Sequence, residues 1–128
     1  MTNHTRDVGE CASVVSLSGE LDVYSSPALK RDLGVLVARG RGSIIIDLEK
    51  VSYIDSAAIG VFTELLRAMR AFGGTVSVVT RAARVRRLFQ LLGLTSVLTI
   101  YDDELSALAS AMSTVRTSRQ SLTRETYA

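Results

Sequence analysis

A carboxylate and a hydroxyl stand side by side at Asp55-Ser56, between an apolar run and a helical pattern, in the segment Ser43 to Gly60. From Ala57 to Phe72 the residues Ala58, Phe62, Leu65, Met69 and Phe72 recur at steps of three and four, which makes one apolar stripe on a helix. Ser56 falls roughly 160° from the middle of that stripe at about 100° per residue, so its hydroxyl should face solvent. It would stand at the positive end of the helix, where the first backbone N–H groups lack partners. Two chemistries fit. Asp and Ser ahead of an apolar helix are ordinary N-cap residues. Alternatively Ser56 accepts a phosphoryl group, because a helix N-terminus favours an anion and tolerates it without unfolding. Activation of Ser56 as an enzymatic nucleophile has no support. Asp55 without a histidine is a weak base for a hydroxyl, and the only histidine, His4, lies near an end expected to be mobile.

The elements that must hold this pair alternate between strand and helix. Ile44, Ile45, Ile46, Asp47 and Leu48 are apolar on both faces and read as a strand covered on both sides. Cys11 to Ser18 alternates as a half-buried strand, and residues before it can add an edge strand. Gly19-Glu20-Leu21-Asp22 leads into a loop. Ser25-Ser26-Pro27 then starts a helix with a hydroxyl cap and an early proline, turning Leu29, Leu33, Leu36 and Val37 inward until Gly40-Arg41-Gly42. Gly73-Gly74 stops the helix that begins at Ala57. Thr75 to Thr80 reads as strand, Ala82 to Leu92 as a helix closed by Gly93, and Val97 to Ile100 as a short strand. Asp102 to Met112 is a last helix capped by Asp102 or Asp103. Short links between these units predict an α/β fold, a mostly parallel sheet of about four to five strands with about four helices.

Composition narrows the functions. A chain of 128 residues, 47% hydrophobic, supports one core, expected over 1–113. The tail 114–128 carries Arg116, Arg119 and Arg124 against Glu125, which accounts for the net charge of +2; it is expected to be a disordered basic segment. Arg81, Arg84, Arg86 and Arg87 form a basic cluster without interleaved aromatics or a nucleic-acid motif, and read as the solvated face of a helix. No nucleic-acid partner is expected. Neither a membrane span nor a signal peptide is visible, so a cytoplasmic location and no membrane partner are expected. Cys11, the single cysteine, reads as a small core residue. No phosphate loop or metal-ligand spacing occurs, so neither enzyme activity nor a cofactor or metal is expected.

Four motifs in order resemble a known family. Gly19-Glu20-Leu21-Asp22, the apolar strand ending at Asp47-Leu48, Tyr53-Ile54-Asp55-Ser56 with Gly60-Val61, and Val85-Arg86-Arg87-Leu88-Phe89 before Leu92-Gly93-Leu94 look like the STAS domain of bacterial anti-sigma factor antagonists, over roughly residues 9 to 112. That resemblance implies a single STAS-type domain. Its partner would be a cytoplasmic anti-sigma factor that is also a serine kinase of the histidine-kinase-like ATPase superfamily. The unphosphorylated antagonist binds this kinase and frees a sigma factor; phosphorylation, corresponding here to Ser56, ends the complex. A phosphatase and self-association are further partners the resemblance leaves open. The family's loop aspartate corresponds to Asp22, which alternatively caps its own loop. Family members usually read Asp-Ser-Ser/Thr-Gly, whereas this chain has Ala57 and Ala58. Ala58 would set a methyl where a partner's backbone approaches. The surface expected to meet a partner comprises Asp22, Val23, Tyr24 and Ser25 in the loop, and Asp55, Ser56, Ala57, Ile59, Gly60, Thr63 and Leu66 on the helix. Edge-of-core packing is the other reading of Ile59 and Leu66. The alternative function is a STAS scaffold or transporter-associated interaction protein that is never phosphorylated.

Overall fold

The computed structural model describes residues 1–113; the expected basic tail lies outside the described residues. In chain order the elements are β1 (Thr2–Val8), β2 (Ala12–Leu21), α1 (Ser26–Ala38), β3 (Ser43–Ile54), α2 (Ser56–Arg70), β4 (Thr75–Val79), α3 (Ala83–Leu91), a 3-10 turn (Leu94–Ser96) and β5 (Thr99–Tyr101). A last helix, α4, occupies 104–113. The expected α/β class and mostly parallel sheet are what the chain forms. The five strands lie in chain order, with β1 antiparallel to β2 and every later pair parallel.

That order decides which face each helix takes. Parallel neighbours need right-handed crossovers, and a sheet that grows in one direction sends all of them to the same side. Accordingly α1, α2 and α3 share one core with Leu17, Leu21, Ile44, Ile46, Val76 and Val78. Val14, Ile45 and Val79 point the other way, against Ala107 and Ala111 of α4. Within the larger core α2 lies between its neighbours. Val61 and Leu65 line the cleft against Leu33 and Val37 of α1, and the Phe62 ring stacks on Phe89 of α3 at 6.3 Å between centroids.

Several sequence expectations need correction. β3 does not end near Leu48 but runs to Ile54, still paired with β2: at the register shifts opposite Ser16–Ser18 and Gly19–Glu20 it is β3 that takes one extra residue each time. The β2–β3 ribbon therefore extends beyond β4, which stops at Val79 opposite Asp47. His4 is held opposite Ser16 in edge strand β1, not in a free end. Cys11 sits half-buried in the turn before β2 instead of in the core. Ser25 makes no side-chain cap to α1. Phe72 falls beyond α2, where Gly73 turns the chain at φ 81°, so it leaves the stripe and is exposed. The last strand is Thr99–Tyr101, two residues late, since Leu94–Ser96 forms the 3-10 turn. Of the two caps expected for α4, Asp103 serves: its Oδ1 accepts from the Ser106 N–H at 2.7 Å.

Candidate functional site

The extended β2–β3 ribbon delivers both candidate segments to one edge. Leu21 pairs with Ile54, and the Asp55 N–H donates to the Leu21 carbonyl at 3.0 Å. Asp22 and Asp55 are thus the residues that leave two hydrogen-bonded strands, at the carboxyl edge where open α/β sheets place their ligands. The connection carrying Ser56 lies between the Asp22 loop, after β2, and the start of α3, after β4.

Asp55 is the N-cap of α2. Its backbone is extended (φ −120°, ψ −178°), and one carboxylate oxygen accepts from the N–H groups of Ala57 at 2.9 Å and Ala58 at 3.2 Å. The cap thus belongs to Asp55, which leaves Ser56 in the first helical turn, exposed, with its hydroxyl unbonded within the described residues. A hydroxyl on that end has access to solvent and a favourable field for an added anion.

The Asp22 loop is closed by equally local hydrogen bonds. Asp22 Oδ1 accepts from the N–H groups of Tyr24 at 3.0 Å and Ser25 at 2.9 Å, while Ser25 Oγ accepts from the Asp22 N–H at 2.9 Å. Ser26 Oγ donates to the Asp22 carbonyl at 2.6 Å. The backbone hydrogen bond from Ser25 is the largest influence holding the Asp22 carboxyl below the usual carboxylate range. This network closes the turn and leaves Val23 exposed and Tyr24 89% exposed. The Tyr24 ring is therefore a large aromatic side chain that the fold itself leaves uncovered.

The helical half of the expected surface separates into two groups. Ser56 and Gly60 are exposed, and Ala57 and Thr63 are half-buried beside them. Ile59 and Leu66, by contrast, are only 4% and 5% exposed and belong to the core, so they brace the surface from below rather than form it. Ala58 is also fully buried; its methyl faces the core and not an incoming partner. Gly60 stands out. A Cβ there would meet nothing within 4 Å, so nothing in the fold requires a glycine at this exposed helical position.

Two neighbours of the site are legible only in three dimensions. Met1 borders a shallow pocket with Glu20, Asp22, Tyr24 and Ser25. On the other flank Arg84 Nη2 donates to the Ser52 carbonyl at 3.2 Å, on the edge of β3 that β4 leaves uncovered. The basic cluster is thus not simply the solvated face of a helix: Arg81, ahead of α3, donates to the Asp102 carbonyl at 3.2 Å, and Arg86 of α3 pairs with the Asp102 carboxylate.

A separate carboxylate pair joins α4 to the other sheet face. Burial, then a hydrogen bond with Glu104, pushes the Asp47 carboxyl up to about 6. Glu104 is held below its ordinary value by that same bond and by Arg6, whose Nη2 lies 2.6 Å from Glu104 Oε2. Among the described residues no group of three or more His, Cys, Asp or Glu could hold a metal ion, and no helix is long and apolar enough to cross a membrane.

A five-stranded sheet with three helices on one face and a polar helix start at its carboxyl edge is the architecture of a STAS domain, and the STAS domain family model matches residues 2–107: the chain belongs to that family. Among its relatives is the anti-sigma-B factor antagonist of Bacillus subtilis, 36% identical over 86 residues, which cover 67% of this chain and 78% of that protein. The Staphylococcus aureus protein of the same name is 36% identical over 80 residues, covering 62% and 74% respectively. In three dimensions the chain is similar to the crystal structure of an anti-sigma factor antagonist from Mycobacterium paratuberculosis. The TM-score is 0.80 at 30% identity, covering 87% of this chain and 93% of the other.

Proposed function

We propose that this chain is an anti-sigma factor antagonist switched by phosphorylation of Ser56. Unphosphorylated, it binds a cytoplasmic anti-sigma factor that is also a serine kinase of the histidine-kinase-like ATPase superfamily, and so frees a sigma factor. The observation that carries this reading is the exposed, unbonded Ser56 hydroxyl on a helix start whose capping is already supplied by Asp55. Relatives named anti-sigma-B factor antagonist support the partner class. The surface around Ser56 consists of the Tyr24 loop at the end of β2 and of Ala57, Gly60 and Thr63 on α2. A phosphoryl group would add about −1.5 to −2 charges beside Asp22 and Asp55, which are of like sign. Desolvating it at an interface costs about 2 to 4 kcal/mol, or about 30- to 1,000-fold in affinity.

The test uses the full chain with each candidate anti-sigma kinase and ATP. Intact mass and site mapping should place one phosphate on Ser56. Calorimetry should then give tight binding for the wild type and Ser56→Ala, and weak binding for the phosphorylated protein and Ser56→Asp. No mass increase together with equal affinities for all forms would favour a permanent scaffold instead.

A further inference from the structure

The basic cluster on α3 contains arginines that the core does not use, and they border an apolar groove on the far side of Ser56 from the acidic loop. β4 ends opposite Asp47, so the outer flank of β3 from there to Ile54 has no strand beside it. α3 packs against that flank, leaving a groove of about 300 Å³ lined by Tyr53, Ile54, Arg84, Arg87, Leu88 and Leu91. Its apolar surface is open: Tyr53 is 46% and Leu91 74% exposed. The charge over it has one sign. Arg84 donates to the Ser52 carbonyl, which consumes a hydrogen bond but not the positive charge, and Arg87 is exposed with no partner among the described residues. Tyr53 stands three positions before Ser56, so the groove continues the same surface.

We infer that this groove is a second docking point for the protein that engages Ser56, and that it takes an acidic segment of that partner carrying one large apolar side chain. The inference rests on the reading of Ser56 given above. Charge selects the occupant. Two guanidiniums at the rim favour carboxylates, for which their forked donors are suited, while Tyr53, Leu88 and Leu91 offer an apolar floor for a side chain between them. The sheet edge then presents a divided face, acidic at Asp22 and Asp55 and basic at Arg84 and Arg87, with Ser56 between. Such a division fixes the orientation of a partner with the opposite arrangement and raises its association rate.

The experiment measures affinity and its salt dependence for the full chain against each candidate anti-sigma kinase, comparing wild type, Arg87→Glu, Leu91→Ser, the Arg84→Glu/Arg87→Glu pair and Ser56→Asp. Arg87 and Leu91 are exposed, so their variants should melt with the wild type. The Arg84 change removes the bond to Ser52, and the single Arg87→Glu variant keeps the test sound if the pair unfolds. The expected result is a loss of roughly tenfold for Arg87→Glu and for Leu91→Ser, with a shallower salt dependence for Arg87→Glu. If Ser56→Asp weakens the complex while Arg87→Glu and Leu91→Ser leave it unchanged, the groove is no docking point and the Ser56 reading stands. If the groove variants weaken binding and Ser56→Asp does not, the docking surface stands and the Ser56 switch falls. Binding by none of the candidates overturns both. A concentration-dependent size of the chain alone that Leu91→Ser abolishes would assign the groove to a second copy and overturn the acidic partner.

Discussion

Replacing Gly60 by alanine should make the protein more stable and a worse binder. Gly60 lies in α2, exposed, in helical backbone, and an added Cβ meets no atom within 4 Å. Alanine gains about 1 kcal/mol over glycine inside a helix because it restricts the unfolded chain, and no clash offsets that here. For a domain of this size the gain raises Tm by about 3 to 6 °C. At the interface the sign reverses. A methyl placed on a surface closely approached by a partner's backbone overpacks it, at about 1 to 3 kcal/mol, or roughly 5- to 150-fold in Kd. Gly34 supplies the control. It is an equally open glycine about two turns into α1 and outside the proposed surface. Gly34→Ala should give the same stabilisation with no change in affinity. Scanning calorimetry and titration calorimetry against the anti-sigma kinase read the two effects. A Tm that stays or falls for Gly60→Ala would refute the packing argument, and a raised Tm with unchanged Kd would place Gly60 outside the interface.

Asp55→Ala removes the two accepted N–H bonds that cap α2 and should destabilise by about 1 kcal/mol, seen as a lower denaturation midpoint that Asp55→Asn largely restores; equal midpoints would show that the cap contributes nothing. Asp22→Asn keeps an oxygen for the Tyr24 and Ser25 N–H groups, so melting should stay within a few degrees while phosphorylation or kinase binding drops roughly tenfold. Early melting with a normal phosphorylation rate would leave Asp22 a loop cap only. For Asp47 the folded carboxyl titrates at about 6 against an ordinary 3.8, so the folded state holds the proton more tightly and stability falls as pH rises through that window. Asp47→Asn lacks the cost, and the variant should gain on the wild type between about pH 4 and pH 6.5, by about 1 to 2 kcal/mol once solvent screening of this half-exposed group is allowed for. Glu104, held low, works oppositely, its contribution being lost as pH falls below about 4.5. Urea midpoints with a pH-independent difference would contradict the assignment of the proton to Asp47.

The ends of β3 and β5 apart, local spacing was enough to read the order of strands and helices, the stop at Gly73 and the placing of Ser56 at a helix start. Each depends on residues within a few positions of one another, whose backbone preferences act before any tertiary contact forms. The Asp22 loop was half legible. Its aspartate and serines announce a turn, but that Ser25 supports Asp22 instead of capping α1 follows from the path of the chain out of β2. The edge strand β1 was weakly marked because His4 and its neighbours are mostly polar and gain their place only from pairing with β2.

By itself the sequence determined which residues could carry the chemistry: an aspartate and a serine side by side at a helix start, and Tyr24 in a short loop. Tertiary structure alone decided which of their neighbours form a surface. A helical stripe has a direction but no fixed width. Because α2 is flanked by α1 on one side and α3 on the other, burial spreads over a wide arc that takes in Ile59, Val61 and Leu66 and leaves Gly60 outside. The early end of β4, which spans only Thr75–Val79, uncovers the flank of β3 and creates the arginine-rimmed groove. And Asp47, read in sequence only as the end of an apolar strand, acquires its raised affinity for a proton from burial in the folded chain first and from the hydrogen bond with Glu104 of α4 second.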